Sequence, residues 1–346
     1  DENVILQQTT ANSLVTSDIF SGTGTTSGTW TCQVTAFDGT DSSTVASVQI
    51  LVDSDWAGAV TFTNCTQTGR TGPSQSQCNL EYLGTDLESV VSLSGGYQTW
   101  TVPFDGTFLI EVAGAQGGDL NSSYSGGEGA VMIGEFNLIT GDLIEILVGQ
   151  QGQNSINASS GYSAGGGGGS FVAINNTALI VAGGGGGAGV TNTCSSSPQL
   201  IPGLAGQSTV LGVPGQGTAC VNHATVVGDG GGGDNCSSGA SPGAGFLGNS
   251  QAYDSSGWGS EAYSFVNGGN GALQRTHGGN GGFGGGGAGA YGGGGGGGYS
   301  GGGTGHYSSP CRDQGGGGAG SYNSGSNQSN STGGNTGFGY VIIDRL

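Results

Sequence analysis

Lysine is absent from this sequence, and arginine occurs four times (Arg70, Arg275, Arg312 and Arg345) against 23 acidic residues, for a formal net charge of −19. Nucleic acid and anionic membranes both demand cations that neutralise phosphate, so neither is a partner for such a chain. Charged residues of both signs make up only 8% of the total. No run of about eighteen apolar residues occurs, so no segment of the sequence reads as a membrane-spanning helix. Proline is limited to seven residues and glycine keeps no strict every-third-residue period, which excludes collagen. No leader pattern opens the chain, and its start at Asp1-Glu2-Asn3 reads as that of a processed or excised product. The acidic loop Asp38-Gly39-Thr40-Asp41 lacks EF-hand spacing, and His223, His277 and His306 stand alone in polar stretches without partners at ligand spacing. No metal and no cofactor is expected.

What the sequence does have is glycine: 82 of 346 residues. Each glycine in a helix interior costs roughly 0.5–1 kcal/mol relative to alanine, so a helix-rich globule is excluded. Simple disorder is also excluded, because apolar blocks interrupt the glycines. Phe108-Leu109-Ile110, Leu143 to Val148 and Ala178 to Ala182 are such blocks, and they supply a core. The length suits two or three small domains.

Seven cysteines, with no C-x-x-C and no Cys/His zinc pattern, imply disulfides made in an oxidising compartment, with one thiol left over. Cys65 and Cys78 are close in sequence and are expected to pair. Two further bridges are expected among Cys194, Cys220, Cys236 and Cys311, with the pairing open and the alternative that one stays free. Cys32 is a candidate for an inter-chain bond. Seven N-x-S/T sequons, at Asn64, Asn121, Asn157, Asn175, Asn235, Asn327 and Asn330, point to the same secreted setting and to glycosylation.

Residues 1–53 read as strands. Alternation places Trp30, Cys32, Val34 and Ala36 on one face, followed by an Asp38-Gly39 turn and by Val48, Ile50 and Val52 at alternate positions. Leu14 to Phe20 and Trp30 to Gly39 resemble the second half of the immunoglobulin-like repeats of bacterial and archaeal surface proteins. In those repeats, the resemblance implies, the cysteine before the Asp-Gly turn pairs with one on an earlier strand. Nothing upstream supplies that strand here. Either the chain completes its sandwich with strands from another copy, or the N-terminus is proteolytic. Residues 54–94 are expected to be a connector containing the Cys65–Cys78 bridge.

Residues 95–346 form the third region. Strands are expected at Gly106–Ala113, Gly129–Phe136, Asp142–Gly149, Ser170–Ile174, Leu179–Ala182 and Gly337–Asp344, bracketing glycine-dominated sequence. The order Val102-Pro103, Ala113 to Gly118, Gly141 to Gly149, Ala164 to Ser170, Ile180 to Ala188 and Gly315 to Ile343 resembles the glycine-rich family of the anaplastic lymphoma and leukocyte tyrosine kinase ectodomains and of many microbial surface proteins. The resemblance implies a jelly-roll-like β unit from which bundled polyglycine II helices emerge, with almost no α-helix. In the kinases that domain belongs to the cytokine-binding part of the receptor. The physics is consistent. A threefold extended helix makes no internal hydrogen bonds, so its amides point outward. Without Cβ atoms such helices approach closely and bond to one another, which offsets an ordering entropy on the order of 1–2 kcal/mol per residue.

Two matches to G-x-S-x-G, at Gly161–Gly165 and Gly298–Gly302, lack the strand–turn–helix context of a nucleophile elbow. The many G-x-G-x-x-G matches precede no helix that could receive a phosphate. No enzyme is expected. Tyr253, Trp258, Tyr263, Phe265, Phe283, Tyr291, Tyr299 and Tyr307 dot the glycine region. They read chiefly as wedges at the ends of glycine helices, and alternatively as platforms for glycans. The functional expectation is an extracellular structural glycoprotein, a fibre subunit completed by a neighbouring copy. The alternative is an adhesin or ligand-binding module that recognises a surface glycan or protein.

Overall fold

The computed structural model describes residues 28–34, 40–52, 58–120, 124–156, 162–189, 201–216, 224, 226–231, 239–251, 259–274, 277–308 and 312–346. The chain divides into two compact units, Asp1–Ala57 and Gly58–Leu346.

In the first unit, β1 (Gly28–Val34) pairs antiparallel with β2 (Ala46–Val52). The register sets Trp30 opposite Ile50, Cys32 opposite Val48 and Val34 opposite Ala46. The period of two therefore brings the two apolar series read from the sequence onto one face of the hairpin. Among the described residues this unit holds two strands, so the immunoglobulin-like reading rests on the hairpin alone.

The second unit is built from two antiparallel sheets. Its strands are β3 (Val60–Phe62), β4 (Val91–Ser94), β5 (Tyr97–Thr101), β6 (Gly106–Ala113), β7 (Gly129–Leu138), β8 (Leu143–Leu147), β9 (Ser170–Ile174) and β10 (Thr177–Ala182). The short pair β11 (Tyr307–Ser308) and β12 (Arg312–Asp313) follows, then β13 (Tyr322–Asn323), β14 (Ser326–Asn335) and β15 (Tyr340–Arg345). One sheet has the order β14-β7-β6-β15-β3 and the other β13-β10-β9-β8-β5-β4. They face each other where β10 crosses β6 and β7 and β9 crosses β6 and β15. Alternation along the strands fills the space between them. Phe108, Ile110 and Val112 of β6, Met132 of β7, Ile144 and Ile146 of β8 and Val341 and Ile343 of β15 are buried. Each such side chain contributes roughly 1.5–3 kcal/mol on leaving water.

Residues 58–94 correct the expected connector: they belong to this second unit, supplying β3, β4 and a helix, α1 (Gln75–Glu81). These elements span three, four and seven residues, too short for a periodic apolar pattern to register. Ser74 starts α1 through a capping box, its hydroxyl accepting from the Gln77 amide while the Gln77 side chain accepts from the Ser74 amide. The Cys65–Cys78 disulfide ties α1 to the loop after β3, with Cα atoms 4.9 Å apart.

Strands β6 and β10 run directly into glycine, and β8 does so after Val148. Ser170 marks the transition, its hydroxyl donating to the Ala113 carbonyl at 2.6 Å and accepting from the Gly149 amide at 2.9 Å. Beyond that point the backbone bonding is threefold. Gly166 and Gly169 donate to Gly287 and Gly284, Gly165 and Gly168 donate to Gln153 and Gln150, and Gly167 donates to Gly185. The central segment repeats the rule with all three neighbours parallel to it. Gly293, Gly296 and Tyr299 donate to Gln314, Gly317 and Gly320, Gly294 and Gly297 to Ala164 and Gly167, and Gly295 and Gly298 to Ser241 and Ala244. Every third amide returns to the same neighbour, the signature of extended threefold helices packed side by side. The unit is thus mainly β, with a glycine lattice continuing from the ends of its sheets. Among the described residues of the lattice the one helical turn is Phe265–Asn267.

Candidate functional site

The aromatic residues of the glycine region divide into two groups. Phe246, Phe265 and Phe283 are buried and join Leu147 of β8 and Phe171 of β9 in one core cluster, against which Tyr97, Tyr299 and Tyr322 pack. Phe246 and Phe265 stack at 4.8 Å, and Tyr299 stacks on Tyr322 at 4.5 Å. The Tyr97 hydroxyl donates to the Phe265 carbonyl, and burial pushes that phenol well above its usual pKa. These side chains seal the join between sheet and lattice, as the wedge reading expects. Tyr263 is partly exposed, whereas Tyr253 and Trp258 lie outside the described residues.

The second group is at the surface. Tyr162 and Tyr291 stack with ring centroids 5.3 Å apart, and His277 meets Tyr162 edge-on at 5.2 Å. The lattice fixes this geometry through the residues next to each ring. The Ser163 amide donates to the Ala290 carbonyl at 2.6 Å, the Gly279 amide to Ser163 at 3.1 Å and the Gly289 amide to Gly279 at 2.9 Å. The Ile156 amide donates to the His277 carbonyl at 3.1 Å, bringing the exposed Ile156 alongside. The segments around Ile156 and Tyr162, around His277 and around Tyr291 therefore present two half-buried tyrosines, one exposed histidine and an isoleucine on a backbone bonded on several sides. Such a surface offers flat apolar faces with polar rims. The sequence reading named Tyr291 and His277 separately and passed over Tyr162. Its signal was present in Gly161-Tyr162-Ser163, a tyrosine at the mouth of a glycine run.

The two G-x-S-x-G serines are placed against catalysis. Ser163 and Ser300 are both fully buried, and the Ser300 hydroxyl accepts from the Gly228 amide at 3.0 Å. Neither is open to a substrate. His306 is half-buried in the lattice, and His223 lies outside the described residues. Among the described residues no three His, Cys, Asp or Glu side chains gather to hold a metal, and no helix is long and apolar enough to cross a membrane.

Cys194, Cys220, Cys236 and Cys311 lie outside the described residues, as do Asn121, Asn157 and Asn235. Cys32 is placed by register alone. Of the remaining sequons, Asn64 is only 9% exposed and its Nδ2 donates to the Gln67 carbonyl at 2.6 Å, so the fold leaves little room for a glycan there. Asn175 sits in the turn between β9 and β10, exposed and with φ of 49°. Asn327 and Asn330 are exposed on β14.

A buried polar knot beside the disulfide also went unread in the sequence. The Tyr82 hydroxyl donates to Gln98 Oε1 at 2.6 Å and accepts from the Thr63 amide at 3.1 Å, while Gln98 Nε2 donates to the Thr63 carbonyl at 2.8 Å. Burial pushes the Tyr82 phenol up to about 12. The knot holds α1 against β3 and β5 and leaves Leu80 and Leu83 facing out.

No protein-family model matches this chain. Over 107 residues, 30% of the chain, it is 37% identical to the leukocyte tyrosine kinase receptor of Mus musculus. The match covers 12% of that receptor's length.

Proposed function

We propose that this chain is an extracellular, non-enzymatic recognition module, in which a stiff glycine lattice presents the Tyr162–Tyr291–His277 surface to an uncharged glycan. The observation that carries the reading is the pairing of a half-buried aromatic cluster at the surface with a backbone that cannot readily rearrange. Tyrosine contributes a large contact face at low conformational entropy, and a pre-ordered site lowers the entropy lost on binding. A net charge of −19 disfavours sulfated or sialylated ligands, which leaves neutral sugars as the class that fits. The partial similarity to a protein named as a receptor, the disulfide and the sequons support an extracellular setting. A glycan array probed with the full chain tests it. Tyr162→Ala with Tyr291→Ala is expected to reduce binding at least tenfold without changing the circular dichroism spectrum. Binding that survives the double substitution, or an array on which only anionic glycans respond, overturns the reading.

A second reading, the fibre subunit, is favoured by one feature: among the described residues of the first unit the register pairs just two strands, β1 and β2, and Val48 is exposed. Strands from another copy would complete this unit, giving a head-to-tail contact that stays open unless its rotation closes. Light scattering of the full chain and of a chain lacking residues 1–28 separates the two. A full chain that is monomeric at high concentration ends the fibre reading.

A further inference from the structure

The sheet edges of the second unit are unequally protected. An unpaired edge strand is a template for another chain, and natural folds blunt it by shortness, bulges, charge or a cover. At one end of its sheet β3 has three residues, and at one end of the other β13 has two. Edge strand β4 is covered: Gln75 Nε2 of α1 donates to the Val91 carbonyl at 2.9 Å, and Gln75 Oε1 accepts from the Leu93 amide at 2.8 Å. That side-chain amide takes the place of a neighbouring strand. The fourth edge, β14, is ten residues long. Its sequence, SNQSNSTGGN, has neither an apolar nor a charged residue, and residues 326–332 are exposed. Register shifts between Ser326 and Ser329 and between Ser331 and Gly334 interrupt its ladder with β7 and leave Ser329 to Ser331 in continuous register. Its C-terminal part is covered, with the Gly333 amide donating to Gly206 and the Ser208 amide to Thr332 Oγ1. From Ser326 to Ser331 the one strand paired with it among the described residues is β7, on its inner side, and no strand is paired with its outer side. This open stretch carries two sequons, Asn327-Gln328-Ser329 and Asn330-Ser331-Thr332, whereas the three guarded edges carry none.

We propose that N-linked glycans on Asn327 and Asn330 are the guard of the β14 edge, and that without them two copies of this chain pair through β14 about a twofold axis. The attachment is ordinary chemistry. The Asn Nδ2 forms a bond to the anomeric carbon of a lipid-pyrophosphate-linked oligosaccharide, the pyrophosphate leaves with the lipid, and Nδ2 gives up one proton. Each amide keeps its second hydrogen. The bonds now made by Asn327 Nδ2 to Glu135 Oε2 at 2.7 Å and by Asn330 Nδ2 to Gln328 Oε1 at 3.0 Å can therefore persist beneath the sugar. A second copy is the occupant that fits a bare edge, because an uncharged strand lets two chains of like charge approach there. That pairing strengthens with salt as repulsion between the copies is screened.

The inference rests on the extracellular reading, and the test separates the two. The full chain is secreted from a glycosylating host and its glycopeptides are mapped. Glycan on Asn327 and Asn330 is expected. If Asn175 carries glycan while both β14 sites are bare, the guard is refuted and secretion stands; a chain bare at every sequon removes both. Asn327→Gln with Asn330→Gln, and separately Ser329→Ala with Thr332→Val, abolish the two sequons by different routes. Thr332→Ser keeps its sequon and its hydroxyl as the control. Light scattering is expected to give a doubled mass for both double variants and the parent mass for the control, with slowed amide exchange over residues 326–331 in the dimer. Double variants that melt like the parent and keep its mass overturn the proposal.

Discussion

Replacing Gly168 by alanine probes the lattice where its chains lie closest. An added Cβ would overlap the Phe283 carbonyl group, with the carbonyl carbon 2.6 Å away. Carbon atoms in ordinary contact sit about 3.5–4.0 Å apart, so the two backbones must separate by roughly 1 Å. Three hydrogen bonds converge there: Gly168 to Gln150 at 3.0 Å, Gln150 to Phe283 at 2.8 Å and Ala115 to Gly168 at 2.9 Å. Stretched by that amount none survives as a hydrogen bond. Each leaves buried polar groups unsatisfied at about 1–3 kcal/mol, a loss of roughly 3–9 kcal/mol. Typical domains have only about 5–15 kcal/mol of stability in total. Two substitutions calibrate the scale. Gly212→Ala would bring Cβ to 2.8 Å from the Gly301 carbonyl oxygen, and Gly106→Ala only to 3.2 Å from Nε of the Arg345 side chain. Urea unfolding followed by tryptophan fluorescence is expected to rank the losses Gly168 over Gly212 over Gly106, the last within about 1 kcal/mol of the parent. A Gly168→Ala chain as stable as Gly106→Ala would refute close packing of the lattice.

Alkaline stability follows from Tyr82. Its phenol is held up to about 12 by burial, against about 10 in an unfolded chain. The folded state therefore keeps a proton that the unfolded state has lost. Stability is full below pH about 10 and falls as pH rises toward 12. In urea midpoints measured across that range, Tyr82→Phe should flatten the fall, and it should lower stability at neutral pH by about 1–3 kcal/mol because Gln98 loses its donor. Removing the disulfide with Cys65→Ser and Cys78→Ser opens a loop of sequence separation 13, and thermal melts should show a loss of about 3 kcal/mol. Gln75→Ala uncovers the β4 edge and should raise amide exchange at Leu93 selectively, as read by hydrogen-exchange mass spectrometry.

The sequence was most legible where side chains alternate. β6, β7, β8, β9, β10 and β15 follow apolar periods that strand sterics impose, and their expected limits lie close to those observed. The glycine lattice was expected from the resemblance to the glycine-rich family, and the outward amides of threefold helices without Cβ atoms agree with it. Strand β14 was invisible for the opposite reason. With no apolar residue it has no period, and it is a strand only through its ladder with β7 and side-chain bonds such as Asn323 to Asn330. α1 and β4 were lost to brevity. Individual aromatics were visible, but the union of Tyr162, His277 and Tyr291 depends on which lattice segments lie side by side. Glycine runs are alike as donors and acceptors, so composition does not encode that order. The Tyr82–Gln98–Thr63 knot is likewise a product of tertiary placement.

The central claim, a stiff glycine lattice that presents an aromatic binding surface, is tested most directly by amide hydrogen exchange on the full chain with and without an uncharged oligosaccharide selected on the array. Residues 165–169, 184–188 and 293–298 should exchange as slowly as the core strands in both states, and the sugar should slow exchange only near Ile156, Tyr162, His277 and Tyr291. Glycine segments that exchange as fast as an unstructured linker, or protection by the sugar centred elsewhere in the molecule, would contradict it.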